Sequence, residues 1–279
     1  MKKISRRSFL AAAGLSVAAL ALTACGGSSA STASSVASSA ASSEAASTSA
    51  AAGELTTVEA GKLTMATNAA FPPYEMTTDA GEFEGIDIET AQAIADKLGL
   101  ELQIDDMDFD AALLSVQQGK ADIVMAGVTV TDERKAVMDF SDSYATGIQS
   151  IIVPEGSDIA SPDDLAGKKI GTQRGTTGYI YCSDDFGDEN VVAYDDGLTA
   201  VQALNNGQVD AVVIDNAPAK EFVAANPGLV ILDTSYAEED YAIGVAKGSS
   251  LKDAVNAALE ELKADGTLQS IVDKYITAE

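Results

Sequence analysis

The chain has 279 residues, with 43 acidic and 17 basic side chains and a formal net charge of −26 at pH 7. This excess of negative charge argues against a nucleic acid as partner, because phosphate binding requires clustered lysines and arginines. The chain contains no histidine, which excludes Ser-His-Asp and Cys-His catalysis and the usual zinc-binding sets.

Residues 1–24 are expected to be an export signal. Four basic residues within the first seven positions precede a largely apolar run of 16 residues, 9–24. Because a membrane-spanning helix needs about 20 apolar residues, a cleaved signal peptide is favoured over a transmembrane anchor. The sequence LTACG at 22–26 resembles the lipobox of bacterial lipoproteins, in which Cys25 becomes the lipidated first residue. SRRSFL at 5–10 resembles a twin-arginine signal, and ordinary Sec export is the alternative.

Residues 25–55 are expected to comprise the lipidated cysteine and a disordered tether. The segment is mostly Ser, Ala and Thr, so it cannot bury enough apolar surface to offset the entropy of ordering it. The tether would hold the rest of the chain outside the cytoplasm, close to the outer face of the cell membrane. Cys182 then has no partner, so no intrachain disulfide is expected.

From Lys62 onward, short apolar strands alternate with amphipathic helices, a pattern typical of α/β folds with parallel strands. The first series predicts strands at 63–66, 100–104 and 122–126, and helices at 87–98 and 109–118. The second series predicts strands at 148–153, 169–172, 210–214 and 241–246, a helix start at 161–164, and helices at 199–206, 217–225, 251–264 and 267–275. Polar residues and glycines follow the carboxyl ends of strands in both series, where open α/β sheets bind ligands.

The segment DIVMAGVTVTDER, residues 122–134, predicts a carboxylate-binding site. A buried strand leads into a polar loop, in which Gly127 lets another molecule approach the backbone closely. Thr129 and Arg134 follow, and a guanidinium can hold a carboxylate through two charge-assisted hydrogen bonds. A solvent-facing arginine at a helix start is the alternative.

Three further constellations are candidates for contacts to a small ligand. NAAFPPYE at 68–75 combines two prolines that stiffen a loop with two aromatics that can cover a ligand, although a loop-stapling pair has the same pattern. Gly175-Thr176-Thr177-Gly178 offers backbone N–H groups at a helix start, as an anion site or as a plain helix cap, and lacks the lysine of a P-loop. Asp215 ends a strand, where it could cap the next helix or complement Arg134 in the recognition of a zwitterion.

The acidic clusters predict no metal site. Asp106, Asp108 and Asp110 match the first three ligands of an EF-hand loop, but Ala111 and Gln117 replace the glycine and the bidentate glutamate that the loop requires. The acidic residues between 184 and 189 are expected to form a solvated loop. No cofactor is predicted.

Six segments together carry a specific resemblance. In chain order they are NAAFPPYE, EFEGIDIETAQAIADKLG, MDFDAALLSVQQGKADIVMAGVTVTDERKAVMDFSDSY, DDLAGKKIGTQRGTTG, ALNNGQVDAVVIDNAPA and LEELKADGTLQSIVDKY. Over residues 62–275 they resemble the polar amino-acid family of bacterial ABC-importer solute-binding proteins, of the glutamine, histidine and lysine-arginine-ornithine types.

The resemblance implies a two-lobed, periplasmic-binding-protein-like α/β fold of type II, with two hinge crossings and a ligand cleft between the lobes. The first lobe would comprise residues 56–147 and 238–279, and the second lobe residues 148–237. The crossings would lie near 146–149 and 235–239. Closure of the lobes about this hinge would enclose the ligand.

The resemblance also implies roles for individual residues. Arg134 would bind the α-carboxylate with help from the backbone N–H groups of Thr129 and Thr177. Asp215 would bind the α-ammonium together with the Gly127 carbonyl and the Thr129 hydroxyl. The complete set of residues implied to contact ligand is Asn68, Phe71, Phe109, Ala126, Gly127, Thr129, Arg134, Thr176, Thr177 and Asp215.

The side-chain pocket is expected to favour a neutral polar amino acid. Phe71 and Phe109 would sandwich the side chain of the ligand. Relatives that bind basic amino acids have aspartate where this chain has Asn68, and an amide cannot neutralise a buried cation, although Glu75 or another acid could compensate. The resemblance therefore implies a substrate class and does not identify one amino acid.

The implied function is capture of an L-amino acid by a monomeric, non-enzymatic, lipid-anchored receptor, which delivers it to the membrane permease of an ABC importer. One alternative is an exported cyclohexadienyl or arogenate dehydratase-like enzyme of the same fold family. Such an enzyme needs a positioned acid in the cleft, and no glutamate stands out beyond Glu75. The other alternative is a ligand-sensing receptor.

Overall fold

The computed structural model of this protein describes residues 55–276. The predicted signal peptide, the predicted lipidation site Cys25 and residues 26–54 of the predicted tether lie outside the described residues. The expectations for these segments remain predictions.

The described residues form twelve β-strands and eight α-helices. The strands are β1 (Lys62–Thr67), β2 (Ala70–Phe71), β3 (Glu75–Thr77), β4 (Phe83–Glu84), β5 (Glu101–Asp106), β6 (Ile123–Val124), β7 (Met138–Pro154), β8 (Ile170–Gln173), β9 (Val191–Tyr194), β10 (Ala211–Asp215), β11 (Leu229–Ile231) and β12 (Ala237–Ala246). The α-helices are α1 (Ile86–Leu98), α2 (Phe109–Gln117), α3 (Asp132–Val137), α4 (Thr177–Phe186), α5 (Gly197–Asn205), α6 (Asn216–Ala225), α7 (Leu251–Ala264) and α8 (Thr267–Tyr275). Short 3-10 helices lie at Pro162–Leu165 and Asp188–Asn190.

The two C-terminal helices show how the apolar pattern positions an element. In α7 one stripe of apolar side chains is buried, namely Leu251, Val255, Leu259 and Leu262. Their spacing of three and four residues places them on one face of the helix. Both α7 and α8 begin and end at the residues that the sequence pattern predicted, and Asp265 and Gly266 separate them.

One mixed sheet runs through the molecule, in the strand order β5-β1-β6-β12-β7-β10-β8-β9, with β11 paired to β7. At one end β1 pairs in parallel with β5 and β6, and at the other end β8 pairs in parallel with β10 and β9. We call the first end, with α1, α2, α3, α7 and α8, the first lobe, and the second end, with α4, α5 and α6, the second lobe. The alternating pattern correctly predicted parallel strands at both ends.

The long antiparallel pair of β7 and β12 connects the two lobes. Within it Gln149 pairs with Ala237, and Gly147 pairs with Glu239. The two segments predicted to cross between the lobes, 146–149 and 235–239, therefore run side by side as hydrogen-bonded strands. The lobe boundaries themselves stay a prediction.

The predictions for β7 and β12 were too short. The sequence pattern predicted strands at 148–153 and 241–246, whereas β7 spans Met138–Pro154 and β12 spans Ala237–Ala246. The missed halves contain exposed or half-buried polar residues, such as Asp142, Thr146 and Glu238. A search for continuous apolar runs does not detect a strand whose alternate side chains face solvent.

Other local predictions were also wrong in detail. Only Ile123–Val124 of the predicted strand 122–126 is paired as a strand. The helix predicted at 87–98 begins one residue earlier, at Ile86, with Gly85 at its N-cap and Asp87 buried in its first turn. Residues 70–84 form a small antiparallel sheet of β2, β3 and β4 in place of a plain stiff loop.

Buried apolar residues fill both lobes. In the second lobe Cys182 is fully buried beside Ile151, Ile170 and Val213. None of the helices within residues 55–276 has both the length and the apolar character needed to cross a membrane.

Candidate functional site

A cavity lies between the lobes. All ten residues predicted to contact ligand line it, together with Glu75 and Gln173. The lining residues are Asn68, Phe71, Glu75, Phe109, Ala126, Gly127, Thr129, Arg134, Gln173, Thr176, Thr177 and Asp215. The fold thus brings together side chains that are separated by as many as 147 positions in the sequence, from Asn68 to Asp215.

Arg134 is held in the cavity wall by backbone carbonyls from both lobes. It lies in α3, whose N-cap Thr131 accepts a hydrogen bond from the Arg134 backbone N–H at 3.2 Å. One terminal nitrogen donates to the Thr129 carbonyl at 2.8 Å, and the other donates to the Gly175 carbonyl at 3.1 Å. Each terminal nitrogen carries a second N–H, so the guanidinium can still donate to a carboxylate.

The burial of Arg134 excludes the alternative of a solvent-facing arginine, because only 8% of the residue is exposed. Its guanidinium carbon lies 5.3 Å from the centroid of the Phe109 ring, within the range of a cation–π contact. Burial lowers the pKa of Arg134, while the nearby carboxylates of Glu239, Asp110 and Asp215 act in the opposite direction. The site therefore contains an oriented cation.

Asp215 faces the same cavity from the second lobe. It precedes α6, but its side chain makes no capping hydrogen bond, so the helix-cap interpretation was wrong. One carboxyl oxygen accepts from the Tyr241 hydroxyl and the other accepts from the Gln149 amide at 2.8 Å. Burial raises the pKa of Asp215 to about 7.

Two buried threonines on opposite walls share one acceptor. The hydroxyls of Thr129 and Thr177 lie 3.5 Å apart. Both donate to Oε2 of Glu239, at 3.1 Å from Thr129 and 3.0 Å from Thr177. The Gln149 amide donates to the same oxygen at 3.0 Å.

The turn before α4 caps that helix, and its role as an anion site stays a prediction. The Thr176 hydroxyl caps α4 by accepting from the Tyr179 backbone N–H at 3.3 Å, as the helix-cap interpretation predicted. It also donates to the Gln173 carbonyl at 2.8 Å. Gly175 has a φ of +74°, and a side chain there would place its Cβ 1.6 Å from an Asp110 carboxyl oxygen. Only a residue without a side chain allows this contact between the lobes.

Gly127 occupies a similarly crowded position on the first lobe. Its φ is +55°, and a Cβ there would lie 2.9 Å from the Phe71 ring. Its backbone N–H donates to the buried carboxylate of Asp87 at 3.0 Å. Phe71, which also lines the cavity, thus lies close to the Gly127 backbone, and the approach of another molecule to Gly127 stays a prediction.

Two amides meet across the far side of the cavity. Asn68 donates to the Met107 carbonyl at 2.9 Å and accepts from the Gln173 amide at 2.9 Å. Asn68 belongs to the first lobe and Gln173 to the second, so this bond links the lobes. Because both groups are neutral, this wall of the cavity presents no charge.

Glu75 adds a buried carboxyl group to the wall. The residue is fully buried, and neither carboxyl oxygen has a hydrogen-bond partner within the described part of the chain. Burial, followed by the charge of Asp87, raises the pKa of Glu75 well above its ordinary value. The pKa of Asp87 is raised to about 6, mainly by burial. Burial therefore favours the protonated form of Glu75.

The analysis of the sequence missed three residues that support the site, namely Gln149, Glu239 and Tyr241. They lie on β7 and β12, where only Glu239 falls outside the predicted strands 148–153 and 241–246. Four residues at every second position of β12 are buried, namely Glu239, Tyr241, Ile243 and Val245. An acid at an inward-facing strand position is the signal that could have identified it.

The acidic clusters outside the cavity have local roles. Asp106 accepts a hydrogen bond from the Ala69 backbone N–H at 2.8 Å. Asp185 lies at the exposed end of α4, where it accepts from the Tyr236 hydroxyl at 2.7 Å. Over residues 55–276, no three potential ligands are grouped so that they could hold a metal ion.

Comparison with known proteins places this geometry in a family. Residues 63–278 match the model of the bacterial extracellular solute-binding proteins, family 3. The L-cystine-binding protein TcyJ of Escherichia coli (strain K12) is 33% identical over 226 residues, covering 79% of this chain and 85% of that protein. The arginine-binding extracellular protein ArtP of Bacillus subtilis (strain 168) is 33% identical over 228 residues, covering 78% of this chain and 87% of that protein.

A solved structure supports the same assignment. An ancestral arginine-binding protein bound to glutamine is 42% identical, with a TM-score of 0.75, and the match covers 79% of this chain and 100% of that chain. The expected two-lobed fold of type II, with its cleft between the lobes, is confirmed. The family and these relatives are binding proteins, so the dehydratase alternative was wrong. The chain belongs to family 3 of the bacterial extracellular solute-binding proteins and is a binding protein, not an enzyme.

Proposed function

We propose that this protein is a lipid-anchored receptor that captures one L-amino acid between its lobes and delivers it to the permease of an ABC importer. One observation carries this proposal: the buried cation Arg134 and the buried acid Asp215 line the same cavity from opposite lobes. A free amino acid is a zwitterion whose two charges can satisfy both groups at once. Binding such a ligand favours the closed arrangement, because the contacts to both lobes exist only there.

The α-carboxylate is assigned to Arg134. Two N–H groups of the guanidinium are held by backbone carbonyls of opposite lobes, which fixes its plane and leaves parallel N–H groups for a carboxylate. The cation–π contact with Phe109 restricts the same plane. The Thr129 and Thr177 backbone N–H groups are proposed to complete the carboxylate site.

The α-ammonium is assigned to Asp215, the Gly127 carbonyl and the Thr129 hydroxyl. An ammonium has three donors and no acceptor, so it needs groups that only accept. Asp215 keeps carboxyl lone pairs for the ligand after it accepts from Tyr241 and Gln149. An adjacent ammonium would favour the ionised form of Asp215 against the desolvation that raises its pKa.

We infer that a neutral polar side chain is preferred over a basic one. The side-chain end of the cavity presents the amides of Asn68 and Gln173 and the carboxyl group of Glu75, whose protonated form is favoured by burial. Neutral groups can exchange hydrogen bonds with an amide or a hydroxyl, but they do not offset the cost of burying a cation. Phe71 and Phe109 provide the apolar walls.

A basic ligand is the second candidate, because one observation favours it. Both carboxyl oxygens of Glu75 are buried and without partners in the described residues, and a guanidinium or ammonium could hold Glu75 in its ionised form. The variants Asn68→Asp and Glu75→Gln separate the two candidates. For a neutral ligand, Glu75→Gln should change the affinity less than about threefold, since the amide replaces a neutral carboxyl group.

For a basic ligand, Glu75→Gln should instead lower the affinity by more than about tenfold, because it removes the counterion. Asn68→Asp should shift the preference toward lysine and arginine in a competition assay. Absence of any shift would mean that the side-chain pocket lies elsewhere in the cleft.

A thermal-shift screen against the twenty amino acids tests the proposal as a whole. A ligand present at 100 times its Kd stabilises the folded protein by about 2.7 kcal/mol, which such an assay detects readily. We expect at least one polar L-amino acid to raise the Tm, and its D-enantiomer to raise it less. A protein that responds to none of them, with calorimetry also negative, would refute amino-acid capture.

Delivery to a permease and ligand sensing require a separate test, because both involve the same binding step. A strain lacking this protein should lose high-affinity uptake of the radiolabelled ligand and regain it on complementation. Normal uptake in that strain would favour the sensing receptor.

A further inference from the structure

Glu239 stands apart from its neighbours on β12. Only 6% of Glu239 is exposed, whereas Glu238 and Asp240 are exposed to solvent. It pairs with Gly147 in the segment where the two long strands pass between the lobes. Glu239 does not itself line the cavity, so its buried carboxylate has a role other than direct contact with a ligand.

A single oxygen atom of Glu239 contacts both lobes. Oε2 accepts hydrogen bonds from Thr129 at 3.1 Å and from Thr177 at 3.0 Å, and these residues lie on the first and second lobes. The same oxygen accepts from Gln149 of β7 at 3.0 Å. The other oxygen, Oε1, is buried and has no partner within residues 55–276.

The number of available protons determines what the two threonines offer a ligand. Each hydroxyl has one proton and two lone pairs. When both protons point to Glu239, only lone pairs remain on the cavity side. Thr129 and Thr177 then act as acceptors, which suits the ammonium of the ligand and does not suit its carboxylate.

We infer that Glu239 is a positioning residue that couples closure of the lobes to recognition of the ammonium group. Its two threonine bonds can form together only when the lobes are closed, so the hydroxyls take their accepting orientation at that moment. The Gln149 amide, which also donates to Asp215 at 2.8 Å, holds both carboxylates in one network. This inference rests on the proposed function, because it requires an ammonium-bearing ligand.

Two substitutions separate the role of the oxygen from the role of the charge. Glu239→Met removes the acceptor and keeps a side chain of similar length. Glu239→Gln keeps an acceptor oxygen in place of Oε2 and puts an amide nitrogen in place of the unpartnered Oε1. The control is Glu238→Gln, which alters an exposed acid one position away on the same strand.

The measurement is calorimetric affinity for the amino acid that gives the largest thermal shift with the unmodified protein. We expect Glu239→Met to weaken binding by about tenfold or more. We expect Glu239→Gln and the control to stay within about threefold of the unmodified protein. Circular dichroism and thermal unfolding verify that each variant folds.

A double-mutant cycle with Thr177→Val adds a readout that a purely structural role would not change. If Glu239 acts through Thr177, the double variant Glu239→Met, Thr177→Val should bind within about threefold of the weaker single variant. Additive losses would overturn the inference, as would a Glu239→Gln variant as weak as Glu239→Met, because the charge itself would then be required. If Glu239→Met does not fold, a loss of about tenfold or more in Glu239→Gln would overturn the inference, and binding within about threefold of the unmodified protein would support it. A protein that binds no amino acid in unmodified form would refute the proposed function instead.

Discussion

Arg134 is the single cation among the twelve residues that line the cavity, and it faces the carboxyl groups of Asp215 and Glu75. The backbone carbonyls that accept from Arg134 carry no net charge. They orient the guanidinium, and its positive charge stays available to a ligand carboxylate. A ligand carboxylate would therefore meet a cation that is already oriented and largely desolvated. Such pre-organisation reduces the side-chain entropy lost on binding.

Arg134→Ala should weaken amino-acid binding by about 2 kcal/mol or more, equal to about thirtyfold in Kd, because the ligand carboxylate would be buried without a partner. Isothermal titration calorimetry measures this directly. Arg174→Ala is the matched control, since Arg174 has a side chain that is 56% exposed and forms a surface ion pair with Asp195. Unchanged affinity in Arg134→Ala, or equal losses in both variants, would show that Arg134 does not bind the ligand carboxylate.

The raised pKa of Asp215 has a consequence for stability. In the unfolded chain an aspartate titrates near 3.8, whereas burial raises the pKa of Asp215 to about 7. Between these values the folded protein binds more protons than the unfolded chain. The contribution of this group to the unfolding free energy therefore falls as the pH rises from about 4 to about 7.

Asp215→Asn should remove this contribution, so the ligand-free variant should gain stability relative to the unmodified protein as the pH rises from 5 to 8. Because pH 5 lies about two units below the raised pKa, the shift sets an upper limit of about 3 kcal/mol for the gain over this range. Urea unfolding at each pH measures it. The exposed Asp79→Asn is the control. A difference that does not vary with pH would show that Asp215 ionises normally.

The sequence predicted most of the site at residue level, because the fold places the carboxyl ends of several strands around one cleft. Arg134 and Asp215 were predicted from segments that follow or end short apolar strands, whereas Asn68 was implied by the family resemblance. Glu239 was missed because it lies inside a strand that crosses between the lobes. The prediction of Asp215 as a helix cap failed because Tyr241 and Gln149 compete for its oxygens.

Among the elements, the turn between β8 and α4 makes the tightest contact across the cleft. The backbone of Gly175 packs directly against the carboxylate of Asp110. The positive φ of Gly175 and this contact both disfavour any larger residue, but for different reasons. The positive φ affects the stability of the fold, and the contact with Asp110 affects closure of the lobes.

Gly175→Ala should lower amino-acid affinity about three- to tenfold, because the new methyl group displaces Asp110 and opposes closure. Calorimetry provides the affinity, and thermal unfolding provides the backbone cost. Gly167→Ala is a close control, since its φ of +77° imposes a similar strain while nothing lies within 4 Å of the added Cβ.

The Gly167 variant should lose stability without losing affinity. The double variant Gly175→Ala, Asp110→Ala should recover part of the affinity, since the blocking carboxylate is gone. Equal affinities for the Gly175 and Gly167 variants would show that the contact with Asp110 does not limit closure.

Helices were predicted more accurately than strands. The apolar stripes of α7 and α8 can be recognised from residues within each segment, because each turn of a helix repeats the same pattern of burial. Strand pairing depends on residues distant in sequence, so the alternating first half of β7 gave no local signal. The 3-10 helix at Pro162–Leu165 was predicted correctly as a helix start, since its capping serine and proline act within a few residues.

At the scale of the whole molecule, the two-lobed α/β fold followed from the alternation of strands and helices and from six motifs in order. The pairing of β7 with β12 did not follow from the sequence, although it connects the lobes. The proposed attachment of the protein to a membrane depends on residues outside 55–276. It is therefore tested separately from ligand binding.

Cys25→Ser should abolish lipidation and release the protein from the membrane. The expected result is a shift from the detergent phase to the aqueous phase in detergent partitioning, with unchanged affinity for the amino acid. Ser28→Ala is the control, because it changes the same segment and leaves the cysteine in place. Retention of the Cys25→Ser variant in the detergent phase would indicate an uncleaved apolar segment as the anchor.

The pairing of β7 with β12 also restricts how the cleft can open. Because Gly147 and Glu239 are hydrogen-bonded neighbours, the connecting segments form one two-stranded ribbon and cannot slide past each other without breaking its ladder. Tyr241 packs against Gly147, where a Cβ would lie 2.4 Å from the Tyr241 ring, and so resists a change in register. Such a ribbon bends across its face far more easily than it shears along its length. We therefore expect the cleft to open like a book about a single axis, exposing Arg134 and Asp215 to water together.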